Sequence, residues 1–201
     1  MNRLIAIAVL ALVFTATSAH AEGGYFSANL GLSIVPDLDQ EIAGIPVSEA
    51  SFDPGFRIAG ALGYDFGAFR AEGEIGYRTN DAADGSIVGL GPGPLEGDVS
   101  VLSFMANGYY DFHSADSSLV PYLGVGLGLA SIDANISAPL LAPFPQIMDD
   151  SATVFAYQFM VGLGFNVSPA TTITADYRYF STTNPEFTPG NAFISGLPDI
   201  E

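Results

Sequence analysis

The chain has no cysteine, no tryptophan and only two histidines, and its five basic residues are all arginine. Without cysteine there is neither a disulfide nor a thiolate metal site, in whatever compartment the protein works. Five cations against 22 carboxylates, a formal net charge of -17, argue against nucleic acid as a partner, because phosphate binding needs Lys and Arg. Beyond residue 21 no run of 18 apolar residues occurs, which excludes a spanning helix. Nor does a helical period sustain itself there. What is present is an apolar fraction of 49% with 23 glycines and 13 prolines in 201 residues. With no tripeptide repeat, that composition fits a single domain of many strands and turns.

The N-terminus carries an address. Arg3 is followed by the apolar run Leu4 to Phe14 and then by Ala19-His20-Ala21. A basic start, an apolar stretch of signal length and an A-x-A cleavage site predict an export signal over 1–21, cut after Ala21. The run is too short to span a membrane comfortably as an anchor. The exported domain is therefore 22–201, with four arginines against the same 22 carboxylates.

Residues 69–78 (FRAEGEIGYR) show the pattern that recurs through this domain. Phe69, Ala71, Gly73, Ile75 and Tyr77 alternate with Arg70, Glu72, Glu74, Gly76 and Arg78. A strand sends alternate side chains to opposite faces, so one face is apolar and the other charged. Water could lie on the charged side, as in a soluble barrel, or lipid on the apolar side with a polar lumen within. The same alternation runs through 25–34, 56–66, 101–112, 121–130, 155–166 and 172–180. That makes seven strands of about ten residues, the length a tilted strand needs to cross a bilayer. Arg57, Arg70, Arg78 and Arg178 all fall on the small, polar face, as do Asp65, Glu72, Glu74, Asp111 and Asp176. A charge on the lipid side would cost about 2–4 kcal/mol at mid-bilayer, which accounts for its absence from the apolar faces.

Two further regularities favour the membrane. Connections alternate between long (36–55, 79–98, 132–151) and short (67–68, 113–118, 167–170), and everything from Thr182 onward is long. Long outer loops and short periplasmic turns are expected of an outer-membrane barrel. Phe26, Tyr64, Phe66, Phe69, Tyr110, Phe112 and Phe165 lie near the short-turn ends of the strands. Phe56, Tyr77, Phe155, Tyr157, Tyr177 and Tyr179 lie near the other ends, which predicts two aromatic girdles.

The segment AFRAEGEIGYR, the run PYLGVGLGLA at 121–130 and FAYQFMVGLGFNVSPATTITADYRYF at 155–180 resemble the opacity-type, OmpA-like outer-membrane barrels, bacterial surface antigens among them. The resemblance covers roughly 24–187. It implies an all-β, antiparallel up-and-down transmembrane barrel of eight strands in a Gram-negative outer membrane, with surface loops that vary. It also implies a closing strand that ends in an aromatic residue recognised by the assembly machinery. Here seven strands are identifiable, and the chain stops at Leu197-Pro198-Asp199-Ile200-Glu201, inside what should be the fourth long loop. An open wall leaves unpaired backbone groups in lipid, so the expectation is a truncated C-terminal strand or a partner strand that completes the wall.

Candidate chemistry is sparse. The nine inward ions, Arg57, Asp65, Arg70, Glu72, Glu74, Arg78, Asp111, Asp176 and Arg178, are expected to form a structural lumen network, with Glu72 or Glu74 paired to Arg57 or Arg178. An eight-stranded barrel is just wide enough for its side chains, and buried charges must be paired. Ester hydrolysis would need a nucleophile beside a base, yet the only histidine past the signal, His113, sits in a short turn. No enzyme activity, cofactor or metal is expected. Asp37-Leu38-Asp39-Gln40-Glu41 has some look of a calcium loop, but Ile42 stands where such a loop needs glycine, so a solvated loop is expected. The greasy, proline-broken 137–148 is a candidate contact for a host or partner surface, with packing on the barrel rim as the alternative. The Asn135 and Asn166 sequons are taken as coincidence. The sequence thus predicts an outer-membrane barrel that supports the envelope or presents adhesive or antigenic loops. Its expected partners are outer-membrane lipid, lipopolysaccharide, the assembly machinery and a host or cell-surface partner for the loops. A secreted lipocalin-like barrel for a small apolar ligand and a narrow pore are the alternatives.

Overall fold

The described residues, 6–12, 23–35, 38–42, 45–87, 91–94, 96–114, 117–137, 146–168 and 170–183 of this computed structural model, form strands and turns without a helix. In chain order the strands are β1 (Ala6–Leu12), β2 (Gly23–Ser33), β3 (Leu38–Ile42), β4 (Ile45–Phe52), β5 (Gly55–Asp65) and β6 (Phe69–Ile87). Then come β7 (Gly91–Pro94), β8 (Glu96–Asp111), β9 (Leu119–Ser137), β10 (Gln146–Ser168) and β11 (Thr171–Thr182). An antiparallel meander, β2-β5-β6-β8-β9-β10-β11, pairs each strand with the next. It curls far enough for Arg178 on β11 to meet Glu74 on β6 at 2.6 Å. The result is an up-and-down barrel wall with eight places.

The eighth place is taken by β1. It runs antiparallel to β11, from Ala6 opposite Ser181 to Leu12 opposite Ala175, and lies against β2 on its other side. The last strand of the meander thus pairs with the apolar N-terminal segment of the full-length chain and not with β2. The expected fourth long loop and the residues to Glu201 lie outside the described residues.

Period-two alternation sorts the side chains as the lipid reading requires. Leu62 is 75% exposed, with Ile75, Leu127, Phe104 and Phe159 also pointing outward, while Arg57, Glu74 and Arg178 are buried within. That sorting is the reverse of a lipocalin, whose apolar side chains line the inside. Both aromatic levels face outward. At the short-turn end the rings of Tyr64 and Phe66 lie 4.6 Å apart and those of Phe69 and Tyr110 5.0 Å apart; at the other end Phe56 meets Tyr77 at 6.3 Å. The turn after β5 is closed by Gly67, whose positive φ of 92° suits glycine, and Asp65 Oδ1 accepts its N–H at 2.7 Å.

The strands are longer than expected. β6 and β9 have 19 residues and β10 has 23, so parts of the segments 79–98 and 132–151 are sheet rather than loop. The segment 36–55 likewise contains the hairpin β3–β4, so the acidic stretch from Leu38 to Ile42 is a strand rather than a solvated loop. β4 and β7 extend the sheet along the far half of β6. The reason lies in what surrounds the wall. On β9 the outward residues are apolar from Leu119 to Leu129 and polar at Ser131, Asp133 and Asn135. Some ten residues rising about 3.3 Å each, tilted by about 40°, cross the roughly 25 Å apolar band of a bilayer. Beyond it backbone pairing continues while outward side chains turn to water, so the amphipathic signal stops before the strand does. Thr153 on β10, Asp98 on β8 and Asp81 on β6 mark the same polar level.

Placing a charge in the apolar band checks this level. Leu127→Arg should lower barrel stability by about 2–4 kcal/mol, read from heat-modifiable gel migration or urea unfolding in detergent, whereas Asp133→Arg should leave it nearly unchanged. Equal effects at the two positions would remove the bilayer boundary drawn here.

Candidate functional site

The lumen is packed by matching large inward side chains to glycines on the neighbouring strand. A methyl group added at Gly124 would come within 2.6 Å of the Tyr109 ring, and one at Gly126 within 2.1 Å of Asn107 Oδ1. Gly63 and Gly162 leave the same room for Tyr25 and Tyr122. The glycine alternation of β9 is thus a slot for the residues that β8 and β10 send inward, with Gln158 Nε2 donating to Asn107 Oδ1 at 2.7 Å across it.

Glu74 is the hub of the ions. Its Oε1 accepts from Arg57 Nη2 at 2.7 Å and its Oε2 from Arg178 Nη1 at 2.6 Å, with all three side chains buried. Arg178 also reaches Asp176 Oδ2 at 3.3 Å, and that oxygen accepts from Tyr122 OH at 3.0 Å. The four residues Arg57, Glu74, Arg178 and Asp176 tie β5, β6 and β11 together across the barrel interior. One carboxylate shared by two guanidiniums gives two short charge-assisted bonds, the strong kind.

A second group lies nearer the short turns. Arg70 grips Asp111 with two bonds, Nε to Oδ2 at 2.6 Å and Nη2 to Oδ1 at 2.9 Å. Its guanidinium sits 4.7 Å from the Tyr109 ring centre and 5.2 Å from that of Tyr122. Glu72 stands 3.9 Å from Arg70 and accepts from Tyr25 OH at 2.7 Å. Of the two acids expected to meet Arg57 or Arg178, Glu74 meets both and Glu72 meets neither among these contacts. A cavity of about 100 Å³ opens beside this group, lined by Asp65, Glu72, Asp111, His113 and Asp176 among others. It has room for several waters. His113 is exposed in the turn after β8, at the mouth of that cavity.

Two of the nine ions stand apart. Asp65 spends an oxygen on the turn at Gly67. Arg78 is 1% exposed and reaches no carboxylate among the described residues; its guanidinium lies 3.5 Å from the centre of the Phe180 ring. Phe180 belongs to an apolar cluster with Val101, Met105, Ala130, Ile132 and Ala156 in the outer part of the lumen. The polar lumen expected along the whole barrel is therefore interrupted in its outer part by an apolar cluster, which lies beside buried Arg57, Arg78, Ser33, Asn80 and Ser103. Among the inward residues outside the nine ions, Tyr25, Tyr109 and Tyr122 were readable from their place on the small-polar face. Phe180 was not, because it follows Arg178 in the inward phase where the alternation predicts a polar residue. Among the described residues no group of His, Asp or Glu side chains is arranged to hold a metal ion.

A family profile described as outer membrane protein beta-barrel domain matches residues 5–194. The chain is similar to outer membrane protein PagN of Salmonella typhimurium (strain LT2), 26% identical over 202 residues, covering 90% of this chain and 84% of that one. No solved structure matches the chain.

Removing the hub should be costly. Glu74→Gln leaves Arg57 and Arg178 without their shared anion and should destabilise the folded barrel by about 3–5 kcal/mol in urea unfolding followed by circular dichroism. Glu72→Gln should cost less, because Arg70 keeps Asp111. A Glu72→Gln loss as large as that of Glu74→Gln would contradict this ranking.

Proposed function

The chain belongs to the outer membrane protein β-barrel domain family, and from that premise we propose that it is a closed stalk that holds adhesive or antigenic loops clear of the bilayer. It is an outer-membrane surface barrel; the finer reading rests on one observation above all. Strands β6, β9 and β10 continue past the last outward apolar residues, with Asp81, Asp133 and Thr153 outward in the continuing wall. Backbone pairing there stiffens the base of the loops and lifts them toward a partner on another surface. The lipid band would meet outer-membrane lipid and lipopolysaccharide, and the acidic loops are suited to screening by divalent cations rather than to nucleic acid.

Neither a pore nor an enzyme is favoured. The Arg57–Glu74–Arg178 bridge and the apolar cluster around Phe180 lie across the lumen, and no hydrogen bond joins His113 to a hydroxyl side chain among the described contacts. Export with loss of 1–21 remains part of this proposal. Cleavage after Ala21 takes β1 away, so in the exported form another strand must satisfy the backbone edge of β11.

Because the chain has no cysteine, single cysteines report its topology directly. Asp133→Cys should react with a membrane-impermeant maleimide on intact cells, and Ala68→Cys only after the outer membrane is permeabilised. The opposite pattern would invert the barrel and end the stalk reading. In planar bilayers the wild-type protein should give no steady conductance steps; stable steps would favour the narrow pore.

A further inference from the structure

We propose that the outer half of the lumen binds one small monovalent anion, of halide size, between Arg57 and Arg78. The two arginines are direct cross-strand partners on the β5–β6 ladder, both inward, 0% and 1% exposed. Like charges facing each other across a ladder destabilise it, and burial removes the water that would otherwise screen them. Both oxygens of Glu74 are already taken, one by Arg57 Nη2 and the other by Arg178 Nη1. That leaves Nε and Nη1 of Arg57, and all three guanidinium nitrogens of Arg78, buried without a hydrogen-bond partner. Five donor nitrogens on one rung of the ladder are therefore buried with no acceptor in hydrogen-bonding position.

The charge count gives the valence. Among the described residues, the ions linked through Glu74 and their neighbour Arg78 are Arg57, Arg78 and Arg178 against Glu74 and Asp176, an excess of one positive charge. The surroundings give the size and the location. Phe180 covers one face of the Arg78 guanidinium, and the cluster of Val101, Ile132 and Ala130 has no side-chain acceptor to offer. The Phe180 ring attracts the cation but cannot balance its charge. The cavity toward the short turns is lined by Asp65, Glu72, Asp111 and Asp176 against Arg70 and Arg178, a net negative balance that disfavours an anion, so the site belongs to the arginine rung. An ion enclosed in this way is captured as the wall closes and exchanges slowly afterwards.

The test is to refold the full chain in detergent from urea in sodium chloride, and in parallel in sodium gluconate at equal ionic strength, gluconate being too bulky to enter. Chloride should raise the midpoint of heat-modifiable migration by about 4 °C in a saturable manner. Arg78→Met should abolish the difference between the two salts. Crystals grown in bromide should show anomalous scattering beside Arg78. A wild-type midpoint that ignores chloride would overturn the proposal; it is also the result expected if a carboxylate on the strand beside β11 balances Arg78 instead. A chloride effect of equal size in Arg78→Met would reveal a general salt effect and would overturn it as well.

Discussion

Bilayer hydrocarbon offers no hydrogen bond, and each backbone N–H or C=O left open in it costs several kcal/mol. Every other feature of this chain follows from that constraint. It forces the strands into a wall with no free edge, and the wall forces alternate residues to face lipid and lumen. β1 shows how undemanding the backbone requirement is by itself. Seven residues, Ala6–Leu12, pair with β11 although none of them carries a hydrogen-bonding side chain. A wall place needs an extended backbone, whereas a lumen place needs specific chemistry, and β1 can meet only the first demand.

The second demand is met by geometry in which small and large residues are matched across neighbours. Glycines at 124, 126 and 128 on β9 are not there for flexibility; a Cβ at any of them would press into Tyr109, Asn107 or Met105. With that space assigned, the ions settle into two clusters, one around Glu74 and one around Arg70, each holding strands that lie far apart in sequence. Arg178 and Glu74 are 104 residues apart and Arg70 and Asp111 are 41 apart. The Arg178–Glu74 link joins β11 to β6 across the barrel, where ladder hydrogen bonds cannot reach, while the Arg70–Asp111 link reinforces the β6–β8 ladder from within.

Period two was the readable part of the chain, because lipid imposes it residue by residue. The seven strands, their inward ions and the two aromatic levels were all legible from it. Strand ends were not. Past Leu129 on β9 the outward residues become serine and aspartate and the inward ones Ile132 and Ala134, so the polarity that marked the membrane span reverses although pairing continues to Ser137. The β3–β4 hairpin escaped for the same reason, being acidic sheet outside the bilayer. Pairing preferences were only half legible. The sequence puts Glu72 and Glu74 on one face, but which of them meets Arg57 depends on the shear of the barrel. Glu74 lies two inward-facing rungs from the Arg57–Arg78 pair, while Glu72 lies one rung deeper still, beside Tyr25 and Arg70. Asp65 could not be separated from the network because a turn cap and a lumen acid look alike in alternation.

The apolar cluster in the outer part of the lumen bears most directly on function. A channel needs an open, wetted path along its whole length. Here the path from the acidic cavity reaches the Glu74 bridge and then the Phe180 cluster, where Val101, Ile132 and Ala156 close it with hydrocarbon beside the buried Arg78. Those residues lie at the level where the outer surface is turning polar, so the wall is inverted there relative to its membrane portion: hydrocarbon within and water without. That is the arrangement of an ordinary soluble β-domain. The outer part of the wall thus has an apolar cluster of its own inside it, packed beside buried polar groups, in addition to the lipid contact below. A surface protein that must keep its loops in place while pulled by a partner has reason to be built this way; a pore does not.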